Sequence, residues 1–315
     1  MRNSRFALNP GILDWLLDEN NPSVRYFTLV DLLDRLGSDP DVTRARQDIM
    51  QGKVVSEILS RQENGGHWEA PERFYTAKYK GTVWQLIILA ELGADSENEQ
   101  IRKACEFILD NSQERESGGF SFRYGKKGGG TRSTVIPCLT GNMLWSLIRF
   151  GYLDDPRVRR GIDWITTYQR FDDGVKTAPE GWTYDKWEMC WGKHSCFMGV
   201  VKTLKALSEI PAGERSEAVR NTIDQGVEFL LLHNIHKRSH ALDRVSKPGW
   251  LRFGFPLMYQ TDMLEILGIL TELGYRDNRM EEAMDLVASK QNGNGRWKLD
   301  STFNCLLYTS RAHET

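Results

Sequence analysis

The strongest constraint on this chain is self-similarity at a long period. The segment Gly81-Thr-Val-Trp-Gln-Leu-Ile-Ile-Leu-Ala-Glu-Leu-Gly93 is apolar at helical spacing and ends in a glycine suited to a helix C-terminus. A polar turn and a second helix, Gln100 to Leu109, follow it, which makes a helical hairpin. The pattern returns as Thr140 to Gly151 with Pro156 to Tyr168, His194 to Ile210 with Ser216 to His233, and Tyr259 to Gly274 with Met280 to Lys290. The copies stand roughly 55 to 63 residues apart, longer than the common solenoid repeats. Upstream, Asn21 to Asp34 and Val42 to Arg61 form a further pair, with Pro22 at a helix start. Hairpins of this kind cannot bury their apolar faces alone. Stacking them predicts one all-α domain over 1–315, with 1–41 as an N-terminal helical segment, 42–298 as the repeats and 299–315 as a tail.

A second signature follows the second helix of most units. Gln62-Glu-Asn-Gly-Gly66-His-Trp68 and Gln291-Asn-Gly-Asn-Gly295-Arg-Trp297 agree at every defining position, and Gln113 to Phe120 and Gln169 to Gly174 are looser copies. A Gln at a helix end can bond the backbone of the next turn, the Gly permits a tight reversal, and the Trp packs its indole into the neighbouring unit. Repetition makes this motif architecture rather than chemistry. It also absorbs much of an aromatic excess: the chain has ten Trp and 28 Gly, many of them adjacent to aromatic residues.

Composition excludes other classes. With 41 Lys+Arg against 43 Asp+Glu, the formal charge of −2 gives no overall attraction for nucleic acid or an anionic membrane. No apolar run is long enough to span a bilayer, and the first twenty residues lack a signal-peptide core, so the expected compartment is the cytoplasm. Five cysteines, Cys105, Cys138, Cys190, Cys196 and Cys305, are an odd number without a dense framework, and reduced thiols are the expectation.

Over Val42 to Lys298 the Gln-x-x-x-Gly-x-Trp copies resemble the repeats of the α/α-toroid superfamily, the terpenoid cyclases and protein prenyltransferase β subunits. The resemblance implies an all-α α/α toroid of about five to six hairpins, inner and outer rings of helices around an aromatic cavity, with the chemistry in loops at one end. It would turn Trp84, Trp145, Trp187, Trp191 and Tyr259 toward that cavity, where ring faces suit an isoprenoid tail or an allylic cation.

The two branches of that superfamily make different demands. The Asp-x-Asp-Asp acid of cyclases that protonate squalene-like substrates is absent. The pairs Asp154-Asp155 and Asp172-Asp173 read as helix-start and turn residues. On the prenyltransferase side, Gly118-Gly-Phe120-Ser-Phe-Arg123-Tyr-Gly-Lys126 is similar to the segment whose Arg and Lys hold an isoprenoid diphosphate. Lys127, Arg132 and the run Gly128-Gly129-Gly130 extend a basic, mobile loop; a solvated surface loop is the competing account.

His194-Ser-Cys196-Phe is similar to the family's His-Thr-Cys-Tyr run with its zinc-binding His, and Cys138 matches the zinc-binding Cys one repeat earlier. The family's Asp ligand, two residues before that Cys, is Ile136 here. Cys190-x-x-x-His194 places two donors one helical turn apart, so Cys138, Cys190 and His194 would make a three-ligand zinc site with an open position. Ordinary buried cysteines are the alternative. Tyr259 and Asp262, in the last unit, are candidate cavity-lining residues, although an Asp at a helix start also suits the dipole. His233, His236 and His240, beside Lys237 and Arg238, read as a basic helix end rather than a metal site.

The leading expectation is a prenyltransferase- or cyclase-like protein that binds an isoprenoid-type diphosphate, with zinc-dependent prenyl transfer as its chemistry. A protein-modifying member would also need a partner subunit. The alternative is a toroid without catalysis that binds a hydrophobic ligand or a protein partner. Ile136 and the missing Asp-x-Asp-Asp favour that alternative, and whether the chain is an enzyme is left open.

Overall fold

The structure, a computed structural model, describes residues 10–125, 128–175, 177–185, 190 and 195–302. Among the described residues the chain is mostly helical, with a single two-stranded ribbon. The N-terminal part holds α1 (Pro10–Leu16), α2 (Pro22–Phe27), α3 (Pro40–Gln51) and α4 (Lys53–Ser60). Four hairpins follow: α5 (Thr82–Glu91) with α6 (Glu99–Asn111), α7 (Pro137–Arg149) with α8 (Pro156–Tyr168), α9 (Phe197–Ser208) with α10 (Glu217–Leu232), and α11 (Met263–Glu272) with α12 (Glu281–Ser289). No described helix is long and apolar enough to cross a membrane.

Local chemistry starts these helices. The side chains of Asn98, Asp155, Ser216 and Asp262 accept backbone N–H groups in the first turns of α6, α8, α10 and α11. Proline, whose missing N–H costs nothing there, opens α2, α3, α7 and α8. The expected helix over Val42 to Arg61 is two helices, because Gly52 takes an extended conformation (φ −60°, ψ 143°). The last unit's first helix begins at Met263 rather than Tyr259, where Asp262 supplies the cap. After His233 the chain leaves the helix for the ribbon, Lys237–Arg238 against Ala241–Val245.

The two helices of a hairpin differ in kind. Every residue of α5 from Thr82 to Ala90 is buried, as is every residue of α7 from Pro137 to Ile148, so these helices are surrounded on all sides. The second helices bury one stripe, such as Ile101, Ala104, Cys105 and Ile108 in α6 or Val158, Gly161, Ile162 and Ile165 in α8. The first helices pack in series, α5 on α7, α7 on α9 and α9 on α11. Gly141 lies against the Lys202 carbonyl and Gly199 against Pro137, so α7 and α9 meet backbone to backbone and run the same way. At their far ends Trp145 Nε1 donates to Glu209 and Lys205 pairs with Glu91. The N-termini of the first helices therefore share one end of the molecule, together with the long connections that lead into them.

The Gln-Gly motifs link neighbours. Gln62 Nε2 donates to the carbonyl of Gln100, the second residue of α6, and Gly66 (φ +79°) presses on the carbonyl of Lys103, the fifth. The looser copy repeats this register on α8: Gln113 Nε2 donates to Arg157, and Gly118 (φ +84°) presses on Arg160. Trp68 and Trp297 each send the indole N–H to a carbonyl ten residues upstream, Ile58 and Val287. Gln169 departs, accepting from Thr203 instead. The last copy meets the beginning of the chain: Gly295 lies against Ile12, and Arg296 stacks 4.0 Å over the Trp15 ring.

A buried ion network sits among the first helices. Lys202 Nζ reaches both Glu265 oxygens at 2.7 and 2.8 Å, with Lys202 1% and Glu265 8% exposed. Lys205 joins the same carboxylate at 3.1 Å and lies 3.9 Å from the Trp145 ring centroid.

Candidate functional site

At the shared N-terminal end, aromatic rings from three segments gather round Trp84. Its indole N–H donates to the Tyr75 carbonyl at 2.8 Å, which ties the connection before α5 back onto that helix. The Tyr75, Tyr79 and Tyr259 rings stand 5.0, 5.8 and 5.9 Å from the Trp84 ring, and Phe122 lies 5.6 Å from Tyr75. Phe122 belongs to the loop that carries Arg123, so that loop and the aromatic cluster are contiguous. Within the loop, the Arg123 carbonyl accepts from Thr131 N–H and from the Ser121 hydroxyl.

Thiols border the same space. Cys138 is the second residue of α7 and Cys196 caps α9. Burial pushes the Tyr75 hydroxyl up from its ordinary range, reinforced by Cys138 and Cys190. Burial likewise holds the Cys138 thiol well above its usual range, with Cys196 and Cys190 adding to the effect, and lifts Cys190 to about 12. Cys196 rises less, because the Gly199 and Met198 N–H groups and Lys247 oppose its burial. Among the described residues, thiols held neutral by burial stand beside an indole and phenols in a ring-rich space. Such a space suits an apolar chain or a delocalised cation.

The sequence-derived candidates divide between places. Tyr259 and Cys138 belong to this cluster, with Cys190 beside them and Arg123 on its border. Trp145 is buried two turns further along α7, about 10 Å by helix rise, among Glu209, Lys205 and Arg149. Asp262 is 2% exposed and serves as a helix cap, Oδ1 accepting from Glu265 N–H at 2.8 Å and Oδ2 from Gly254 N–H at 3.0 Å. Burial raises its carboxyl, against the lowering effect of those two bonds. Lys126, Lys127, Trp187, Trp191 and His194 lie outside the described residues. Arg132, expected to extend the basic patch, pairs with Glu116 and covers the Trp182 ring.

Asp172 accepts from Arg170 and Ser195, in a stretch without a turn that runs to the bend at Gly174, so it is not the turn residue expected. His233 Nδ1 bonds the Phe229 carbonyl, while His236 is buried in the turn that leads into the ribbon. Tyr75, Tyr79 and Phe122 had no signal in helical periodicity, since connections carry them; their spacing before Gly81 and after Gly118-Gly119 was the available cue.

Among the described residues no three His, Cys, Asp or Glu side chains are placed to hold a metal ion. Cys138 and Cys190 offer two soft donors, so a zinc site would depend on His194 for its third. Ile136, two residues before Cys138, is 5% exposed and packs in the core.

No protein-family model matches this sequence, and no curated protein matches it. Among solved structures the chain is similar to the type II terpene cyclase MstE from Scytonema, in complex with geranylgeranyl dihydroxybenzoate, at 16% identity and a TM-score of 0.44. The overlap covers 89% of this chain and 71% of that one. The likeness is structural and distant.

Proposed function

We propose that this chain is an α/α toroid, its first helices forming an inner ring and its second helices an outer one, and that its loop-bearing end takes up an isoprenoid-type diphosphate. The observation that supports this most is the contact of Phe122 with Tyr75, which joins the Arg123 loop to the aromatic cluster around Trp84. In this reading Tyr75, Tyr79, Trp84, Phe122 and Tyr259 hold the hydrocarbon chain, and Arg123 with Lys126 holds the diphosphate. A guanidinium fork and an ammonium neutralise the charge that develops as diphosphate leaves an allylic carbon. The ring faces shield and stabilise the allylic cation.

Zinc belongs to the same proposal, held by Cys138, Cys190 and His194. Bound there, it would activate a thiol as nucleophile. Metal analysis of dialysed protein tests it: one zinc per chain, lost in Cys138→Ser and in His194→Ala, supports the site, and folded protein without zinc removes it.

The diphosphate reading is tested by thermal shift with geranyl, farnesyl and geranylgeranyl diphosphate. A ligand at a hundredfold excess over its Kd adds about 2.7 kcal/mol to folding, a readily measured shift. Arg123→Ala and Lys126→Ala should abolish it. If none of the three stabilises the protein, the reading falls. A second reading, a toroid that binds a hydrophobic ligand or a protein without catalysis, is favoured by the core packing of Ile136 where a ligating carboxylate would stand.

A further inference from the structure

The Gln-Gly joints differ in what they grip. Gln62 Nε2 donates to the Gly66 carbonyl inside its motif and to the Gln100 carbonyl on α6, while Gly66 presses on the Lys103 carbonyl. Gln113 Nε2 donates likewise to Gly118 and to Arg157 on α8, with Gly118 against the Arg160 carbonyl. Both joints hold the backbone of the helix that follows. The last motif meets α1 instead, through side chains. Gln291 Nε2 donates to the Gly295 carbonyl at 2.9 Å, but a Cβ at Gly295 would lie 2.6 Å from Ile12 Cδ1, the flexible end of that residue. The second grip is Arg296, stacked over the Trp15 ring. Burial separates the joints too: Trp68 is 4% exposed, whereas Trp297 is 45% and Trp15 42% exposed.

α1 itself is shallowly seated. Of its seven residues, Ile12, Leu13 and Leu16 are half-buried, and Gly11, Asp14 and Trp15 are exposed. A helix this short is well below the ~12–15 residues that hold together alone in water, so α1 is helical because it is docked. A turn tethers it, where Asn20 N–H donates to the Asp18 carboxylate at 2.9 Å and Asn21 N–H to the Asp18 carbonyl at 3.1 Å. Beyond that turn α2 is anchored, with Ser23 Oγ donating to the Leu92 carbonyl and Tyr26 in the core. Local opening is easiest where few apolar contacts are buried.

We propose that α1 is a detachable strap. It joins the last unit to the N-terminal part by a side-chain clasp, Ile12 on Gly295 and Trp15 under Arg296, and it releases by local unfolding while the hairpins stay folded. Docking and helix formation are then one event, since the released segment is too short to remain helical. Release uncovers Gly295 and the Arg296 guanidinium, the groups that α1 covers. The inference goes beyond the ligand reading and does not depend on it.

Native-state hydrogen exchange of the full chain, read by mass spectrometry, tests it. The α1 amides at 14–17 should exchange about a hundredfold faster than those of α6 and α8, yet about tenfold more slowly than in a free peptide of residues 10–21. Arg296→Ala should quicken exchange at 14–17 by about threefold, the weight of an exposed cation–π contact, and leave α6 and α8 unchanged. Trp15→Ala should do at least as much. The comparison in the unaltered protein does not depend on how the variants fold. Exchange of α1 in step with α6 and α8 would make it part of the cooperative fold, and exchange at the free-peptide rate would mean that no strap forms; either overturns the inference. So does an Arg296→Ala effect that is absent or spread evenly over the chain.

Discussion

Replacing Glu265 by Leu would remove the carboxylate that three charge-assisted hydrogen bonds share, two from Lys202 and one from Lys205. Lys205 keeps a second partner in Glu91, so the loss falls on Lys202, whose side chain is 1% exposed and which would keep no direct ion pair among the described residues, only the longer-range attraction of Glu91 and Asp262. Breaking a buried pair by removing one partner costs about 3–5 kcal/mol. Removing both charges together, as Lys202→Met with Glu265→Leu, restores an apolar contact of similar volume and should cost far less, or even add stability. Urea unfolding at neutral pH, followed by far-ultraviolet circular dichroism, measures both. The two variants should differ by about 3 kcal/mol in favour of the double substitution. Equal destabilisation would refute the reasoning, because the lost quantity would then be packing and not an unpaired charge.

Acid should act through the same carboxylate. Burial pushes Glu265 up, but Lys202 and Lys205 more than reverse this and hold it at about 2, below its ordinary 4.5. A depressed carboxyl contributes stability above its unfolded value and loses it as pH falls through its folded one, so unfolding free energy should drop between pH 4.5 and about 2. The charge-free double variant should show a shallower drop in the same titration. Gly66→Ala would place a Cβ 2.4 Å from the Lys103 carbonyl at a φ of +79°, and should lower the urea midpoint by the equivalent of about 2 kcal/mol or more. Gly213→Ala, where a Cβ meets nothing within 4 Å, is the control that should leave the midpoint nearly unchanged. Asp262→Ala removes the cap of α11 and should cost about 1–2 kcal/mol in the same assay.

The hairpins were legible because helices with a sharp chemical start announce it. Asp155 and Pro156 mark α8 so clearly that its bounds, Pro156–Tyr168, are those read from the sequence. Where the start depends on a distant group, the reading slipped. Asp262 caps α11 while its second oxygen accepts from Gly254, and spacing alone carried the helix back to Tyr259. The site was legible only in part, for a geometric reason. Periodicity reports which face of a helix a residue occupies, not how far along the axis it lies. Trp145 shares the face of Cys138 yet lies two turns away, with Glu209. The cluster round Trp84 takes Tyr75, Tyr79 and Phe122 from connections, whose path is set by bonds such as Trp84 Nε1 to Tyr75.

The central claim is the place of the ligand, and photo-crosslinking tests it most directly. A farnesyl diphosphate bearing a diazirine on its hydrocarbon end, irradiated with the full chain and mapped by peptide mass spectrometry, should label Tyr75, Tyr79, Trp84, Phe122 or Tyr259. Arg123→Ala should reduce the labelling. Labels confined to the second helices, or to the far end around Trp145 and Glu209, would contradict the account.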